Sequence, residues 1–315
     1  MPNWNEVLIE INQQKQNVAN HMAGLQFVSP LDNVRIKYLD ALQKHTGRNV
    51  IAYYSGWLHR GPNTPNLAIN DLDKNAFMAT IHGLDRSKGL DLILHTPGGS
   101  IAAAESLVDY LRRMFGKNIR AIVPQIAMSA GTMMACACNE IVMGKQSNLG
   151  PIDPQMNGMP ATGILKEFKQ ALKEIKEDPS KLSLWQVIVG KYHPSFLLEC
   201  ENAIEWSKEV VQDWLETGMF EGEANAQQKA KTIVKKLADY AAMKNHGRHV
   251  DIDECKKLKL KILDLESDQI LQDLVLTVHH SFMLTLGEAG HITKIVENHK
   301  GIRLVSNFAV GNQSK

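Results

Sequence analysis

The chain has little of what would commit it to several protein classes. Its 315 residues include four cysteines (Cys136, Cys138, Cys200 and Cys255), none in the close pairs that hold zinc, so they read as reduced, buried thiols. An excess of charge of either sign is missing as well. With 35 Lys+Arg against 34 Asp+Glu, no broad basic surface is available to neutralise phosphates or an anionic membrane, and nucleic acid is not expected as a partner. The basic run at 256–261 has apolar residues at alternate positions and acidic neighbours, which suits a solvated helix face. No stretch of about twenty uninterrupted apolar residues occurs, so no membrane span is expected. The first 22 residues are polar and rich in Gln and Asn, without the apolar core of a signal peptide, and a cytoplasmic location is expected. No HExxH spacing is found among the twelve histidines, and neither a metal nor a cofactor is expected.

What remains is the composition of a globular α/β protein, 44% hydrophobic and 22% charged. Helical spacing of Trp4, Val7, Leu8, Ile11, Val18 and Met22 predicts a peripheral helix, and a second runs to Lys44 before Gly47. Short β-prone runs at 49–57, 90–95, 119–123 and 140–143 alternate with helical patterns at 73–84, 101–115 and 131–138. That alternation predicts a parallel sheet covered on both faces. Beyond Pro160 the pattern turns to long amphipathic helices at 163–177, 194–216, 224–245 and 267–286. Gly247 is placed as a left-handed cap, and Asp251 with Glu254 as a capping box. The expected organisation is an N-terminal helical extension (1–47), a core (48–160) and a helical region (161–315) that returns to the core as a strand near 301–305.

Three segments carry chemistry. In His95-Thr96-Pro97-Gly98-Gly99-Ser100 a strand ends in a turn whose glycines expose backbone N–H groups beside a helix N-terminus, an oxyanion site; the alternative is a plain tight turn. In Ala127-Met128-Ser129-Ala130-Gly131-Thr132 a serine stands at the first turn of a helix of small residues, beside the free N–H of Ala130, as an attacking nucleophile requires; the alternative is a simple N-cap. Both turns follow successive strands, and right-handed crossovers bring them to one edge of the sheet. In the third, Ser147 to Gln155, Asp153 is held rigid between Pro151 and Pro154, either to orient a basic group or to close a turn.

In their order and spacing, these motifs from Leu92 to Gln155 resemble the serine dehydrogenase proteinase family, relatives of the Clp proteases and of signal peptide peptidase A. Weaker similarity extends from about Asn49 to about Val305. The resemblance implies an α/β Clp/crotonase-like fold, serine peptidase chemistry on a peptide or protein substrate, and no dehydrogenase activity. It also implies backbone oxyanion donors at Gly98 or Gly99 and at Ala130, and assembly into a homo-oligomer.

The base that takes the proton of Ser129 is less legible. Clp-type spacing would put a histidine where Asn148 to Asp153 stand, so that simple triad is absent. The family pattern near the C-terminus has a His before Asp-Tyr-Pro-Ile, and Gly290-His291-Ile292-Thr293 keeps the His without the Asp and Pro. The expected catalytic set is therefore Ser129, His291 and Asp153. Lys166, Lys169 or Lys173 (by analogy with the signal peptide peptidases) and His95 remain the alternative bases. Two further functions stay open: a crotonase-like acyl-CoA hydrolase, which uses the same pair of N–H donors, and a non-catalytic scaffold.

Overall fold

A computed structural model describes residues 4–20, 29–61, 63–239 and 245–308. Met22, and residues 240–244 of the helix expected to reach Asn245, lie outside them. The chain begins with helices α1 (Trp4–Asn20) and α2 (Pro30–Thr46), the latter closed by Gly47 in the left-handed region, φ 69°. There follow β1 (Asn49–Ser55), α3 (Asp73–Ile81), β2 (Leu90–His95), α4 (Ile101–Phe115), β3 (Ile119–Val123), β4 (Ile126–Ala127), α5 (Ala130–Cys136), β5 (Glu140–Met143) and β6 (Asn148–Leu149). A two-stranded ribbon, β7 (Gln155–Met156) and β8 (Met159–Pro160), leads into α6 (Ala161–Glu177), α7 (Leu182–Val189), α8 (Phe196–Trp214) and α9 (Ala226–Leu237). The last part comprises β9 (Val250–Asp251), α10 (Ile252–Lys257), β10 (Ile262–Asp264), α11 (Gln269–Glu288), β11 (Ile292–Asn298) and β12 (Arg303–Asn307).

Seven strands form the central sheet in the order β10-β5-β3-β2-β1-β11-β12. The first five of these run parallel, and β11 and β12 each pair antiparallel with their neighbour. Because side chains alternate along a strand, each supplies both faces. Val50, Ala52, Tyr54, Ile93, Ile122 and Val142 pack with Leu39 and Leu42 of α2 and with Val275, Val278 and Phe282 of α11. Their neighbours Ile51, Tyr53, Leu92, Leu94, Ala121 and Ile141 meet the opposite layer, from α3, α4, α5, α8 and α9. With both faces covered the strands must be apolar throughout, which explains their near-continuous hydrophobic runs. At about 1.5–3 kcal/mol for each large side chain removed from water, these two layers are the main source of stability.

The structure departs from the expected organisation in two places. Helix α2, expected in an N-terminal extension, covers one face of the sheet. The return to the core also starts well before residue 301, since β10 and β11 join opposite ends of the parallel strands. Strand β11 was hidden by its polar residues, Ile-Thr-Lys-Ile-Val-Glu-Asn, yet Lys294, Glu297 and Asn298 are buried. Each has a partner: Lys294 pairs with Asp73, Glu297 with Arg35 at 2.7 Å, and Asn298 donates to the carbonyl of Thr80 at 2.6 Å. Paired in this way, a charged sequence can occupy a sheet interior. Gly247 does not adopt the expected left-handed conformation; it sits in a turn, its N–H donating to Asn245 Oδ1 at 2.8 Å. Asp251 does cap α10, accepting from the Glu254 N–H at 2.8 Å.

Removing one member of the Asp73–Lys294 pair should be costly. Lys294→Met strands the Asp73 carboxylate, 3% exposed, and is expected to lower the unfolding free energy by about 3 kcal/mol in urea denaturation. Asp73→Asn combined with Lys294→Met should recover part of that loss.

Candidate active site

The two small-residue turns meet at the carboxyl edge of the sheet, as the crossover argument requires. Thr96 bridges Ala127: its N–H donates to the Ile126 carbonyl at 3.2 Å, and its carbonyl accepts from Met128 N–H at 3.0 Å. Their approach is so close that a Cβ on Gly98 would stand 2.7 Å from both the Met128 carbonyl oxygen and Ser129 Cβ. A Cβ on Gly99 would likewise fall 2.4 Å from the backbone of Ile69. Both glycines have positive φ, 95° and 156°. Of the expected donors, the Gly98 N–H is engaged by Thr96 Oγ1 at 3.1 Å, while Ile69 takes up the Gly98 carbonyl and the Ser100 N–H. Among the described residues the Gly99 N–H has no acceptor, and the Ala130 N–H stands in the first turn of α5, where no intrahelical acceptor exists.

Ser129 does not behave as a cap. Its side chain makes no capping hydrogen bond, and its backbone, at φ 49° and ψ −117°, occupies a region that costs a non-glycine residue about 1–3 kcal/mol. That strain is held from both sides. Gly98 packs against it, and Thr132 Oγ1 donates to the Ala127 carbonyl at 2.8 Å while accepting the Gly150 N–H at 2.8 Å. A serine on a tight strand-to-helix elbow projects its hydroxyl away from the backbone, where a substrate can reach it. Cys138 and Cys255 offer no competing nucleophile, because burial pushes their thiols up to about 12.

A second, three-stranded sheet completes the site. Strand β4 pairs in parallel with β6, and β6 antiparallel with β9, in the register Asn148↔Asp251 and Leu149↔Val250. Beyond this pairing the two segments run on as loops that bring Asp153 and His246 together. There His246 Nδ1 lies 2.9 Å from Asp153 Oδ1, and Gln155 Nε2 donates to the other carboxylate oxygen at 3.3 Å. Asp153 is 1% exposed and the His246 side chain 24%. An Nδ1–H donated to the carboxylate leaves the lone pair on Nε2. Ser129, His246, Gly98, Gly99, Met133 and Trp206 line one cleft of about 450 Å³.

The other histidines and lysines considered as bases are elsewhere. His291 is exposed in the turn before β11 and does not line the cleft. Lys166 lines a different hollow, Lys169 is exposed on α6, and Lys173 pairs with Glu177 at 3.8 Å. His95 is buried behind the turn, packed on Trp57 and Tyr54 with ring centroids 4.4 and 5.3 Å away. Burial, and then the nearby His279 and His59, hold its pKa well below the usual range, so it is neutral. His246 is the histidine that the sequence alone did not single out. Only the register of a two-residue strand links it to Asp153, and the local sequence carries no signal of that pairing.

With this geometry in view, the comparison with known proteins is decisive at the level of family. The family of ClpP-like SDH-type serine proteinases, as a sequence model, matches residues 65–277. This chain belongs to that family. The mixed α/β architecture with its mostly parallel seven-stranded sheet agrees with a ClpP-like fold. Two uncharacterised proteins of Methanocaldococcus jannaschii are similar to it. One is 30% identical over 190 residues, 60% of this chain and 59% of that protein; the other is 26% identical over 234 residues, 72% of this chain and 71% of that protein. The match thus spans less than two thirds of the first relative's length.

The histidines behind the site of this ClpP-like protein make a prediction about acid stability. Burial pushes His279 down to about 3, from an ordinary value of 6.5, and lowers His95 as well. Below pH 6.5 the unfolded chain takes up protons that the folded chain refuses. Stability that is whole above that pH should therefore fall as the pH drops from 6.5 toward 3, by up to about 1.4 kcal/mol per pH unit for each histidine. Thermal midpoints measured from pH 7 to pH 5 should show the decline, and His279→Leu should make it shallower.

Proposed function

We propose that this chain is a serine peptidase in which Ser129 attacks the peptide carbonyl, His246 is its base and Asp153 orients the histidine. The observation that carries this reading is the meeting, in one cleft, of a strained, uncapped serine and a histidine already bound to a buried carboxylate. His246 Nε2 takes the Ser129 hydroxyl proton as Oγ bonds to the carbonyl carbon. The N–H groups of Gly99 and Ala130 receive the oxyanion; Gly98, whose own N–H is engaged, makes the room for it. The protonated histidine then gives its proton to the leaving amine, which departs as the C–N bond breaks. Water, deprotonated by the same nitrogen, cleaves the ester and restores the serine. Asp153 holds the tautomer and supports the imidazolium.

Membership of a serine proteinase family favours a peptide or protein substrate over an acyl-CoA thioester, and the bound histidine favours catalysis over a scaffold role. Among the described residues no helix is long and apolar enough to cross a membrane, and Cys136, Cys138, Cys200 and Cys255 are free and buried, which supports a cytoplasmic setting. The apolar residues Leu184 and Val187, 59% and 66% exposed on α7, support self-association of the helical region.

A fluorophosphonate probe should label the protein, and Ser129→Ala should abolish the labelling. His246→Ala is expected to reduce peptide turnover by about 10³–10⁴, with Asp153→Asn also strongly impaired and His291→Ala unchanged. Full activity in His246→Ala, or its loss in His291→Ala, would return the role of base to His291. Gly98→Ala, which sets a methyl group against Ser129, should lose activity while leaving a folded protein.

A further inference from the structure

On the far flank of α8 lies a second hollow that the proposed chemistry does not use. Helix geometry turns about 100° per residue, so Lys208 and Gln212 lie roughly half a turn around α8 from Ala203, which lines the Ser129 cleft. The hollow, about 410 Å³, lies between α6, α8 and α9 and is lined by Lys166, Lys208, Lys231 and Lys235, with Asp239 as its acidic member. A neighbouring hollow of about 430 Å³ shares Lys231, Lys235 and Asp239 and adds Lys236. Lys208, Lys231 and Lys235 form no ion pair among the described residues. Lys231 and Lys235 stand one turn apart on α9, a like-charge pair that weakens a helix unless an anion offsets it. On the floor, Thr162 Oγ1 is buried without a hydrogen-bond partner among the described residues.

We propose that these adjacent hollows bind a condensed phosphate, a chain of linked phosphate groups, at a site separate from the Ser129 cleft. The chemistry of the lining distinguishes this ligand from other polyanions. All the cations are lysines, compact point charges suited to phosphate oxygens, and none is an arginine that would grip carboxylates in bidentate fashion. Among the described residues no aromatic side chain lines either hollow to offer a nucleobase a stacking surface. Two adjacent hollows that share Lys231 and Lys235 fit several linked phosphates better than a single ion.

The test is calorimetric titration of the full-length protein with sodium tripolyphosphate at constant ionic strength. Saturable binding is expected, weakening as salt rises. Lys231→Gln with Lys235→Gln should weaken it roughly tenfold or more, and Lys208→Gln, on a different helix, should weaken it too, with circular dichroism and fluorophosphonate labelling unchanged in both. Absence of saturable binding at millimolar tripolyphosphate overturns the proposal, as does equal binding by both variants. A glutamate oligomer of matched charge, or single-stranded RNA, that binds as tightly as tripolyphosphate would overturn the phosphate assignment.

Discussion

Two residue pairs of strand register hold the site together. The pairing of Asn148 and Leu149 with Asp251 and Val250 couples the loop that carries Asp153 to the loop that carries His246, across nearly a hundred residues of chain. The parallel pairing of β6 with β4 ties both to the turn of Ser129. The three groups therefore stand on segments that leave one small sheet, tied to one another rather than independent. Without β9, Asp153 would remain a buried carboxylate between prolines, with Gln155 as its hydrogen-bond partner. The central sheet supplies the platform beneath, since its parallel strands deliver both turns to one edge.

The strained backbone of Ser129 follows from the same construction. Its conformation is over-determined: Gly98 leaves room on one side, Thr132 bonds to two backbone groups on the other, and the bridge of Thr96 to Ala127 fixes the approach. These contacts are local, but they persist because the strands beneath them are buried on both faces. The strain at the serine is thus borne by the packing of Ile93, Ile122 and Val142 on one side and of Leu92, Leu94 and Ala121 on the other.

Where the sequence was readable, it was readable for physical reasons. Strands 90–95, 119–123 and 140–143 and helix 101–115 are legible because continuous apolar runs and a 3.6-residue stripe leave little choice of structure, and because Gly and Pro punctuate them. The Gly98-Gly99 and Ser129 turns are legible because small residues at a strand-to-helix junction serve few other purposes. Strand β11 was illegible because Lys294 and Glu297 look solvated until Asp73 and Arg35 are known to meet them. The approach of His246 to Asp153 was illegible for a different reason: it depends on a two-residue strand, too short to impose a pattern. Net charge misled in its own way. A total near zero conceals the lysines gathered on α9, a helix with four lysines and no acidic residue, because acidic residues on other elements such as α8 balance them in the sum.

The register between β6 and β9 also bears on which changes of length this fold can absorb. That register fixes where both loops leave the sheet, so one residue gained or lost between 149 and 153, or between 246 and 250, would displace the carboxylate or the histidine from its partner. Residues 178–195, which join α6 to α8 through α7, have no such constraint, and helical turns can be inserted there without moving Ser129. Across the family, insertions and deletions should therefore accumulate in the helical arm and be scarce in the two short spacers, even where the amino acids filling those spacers differ.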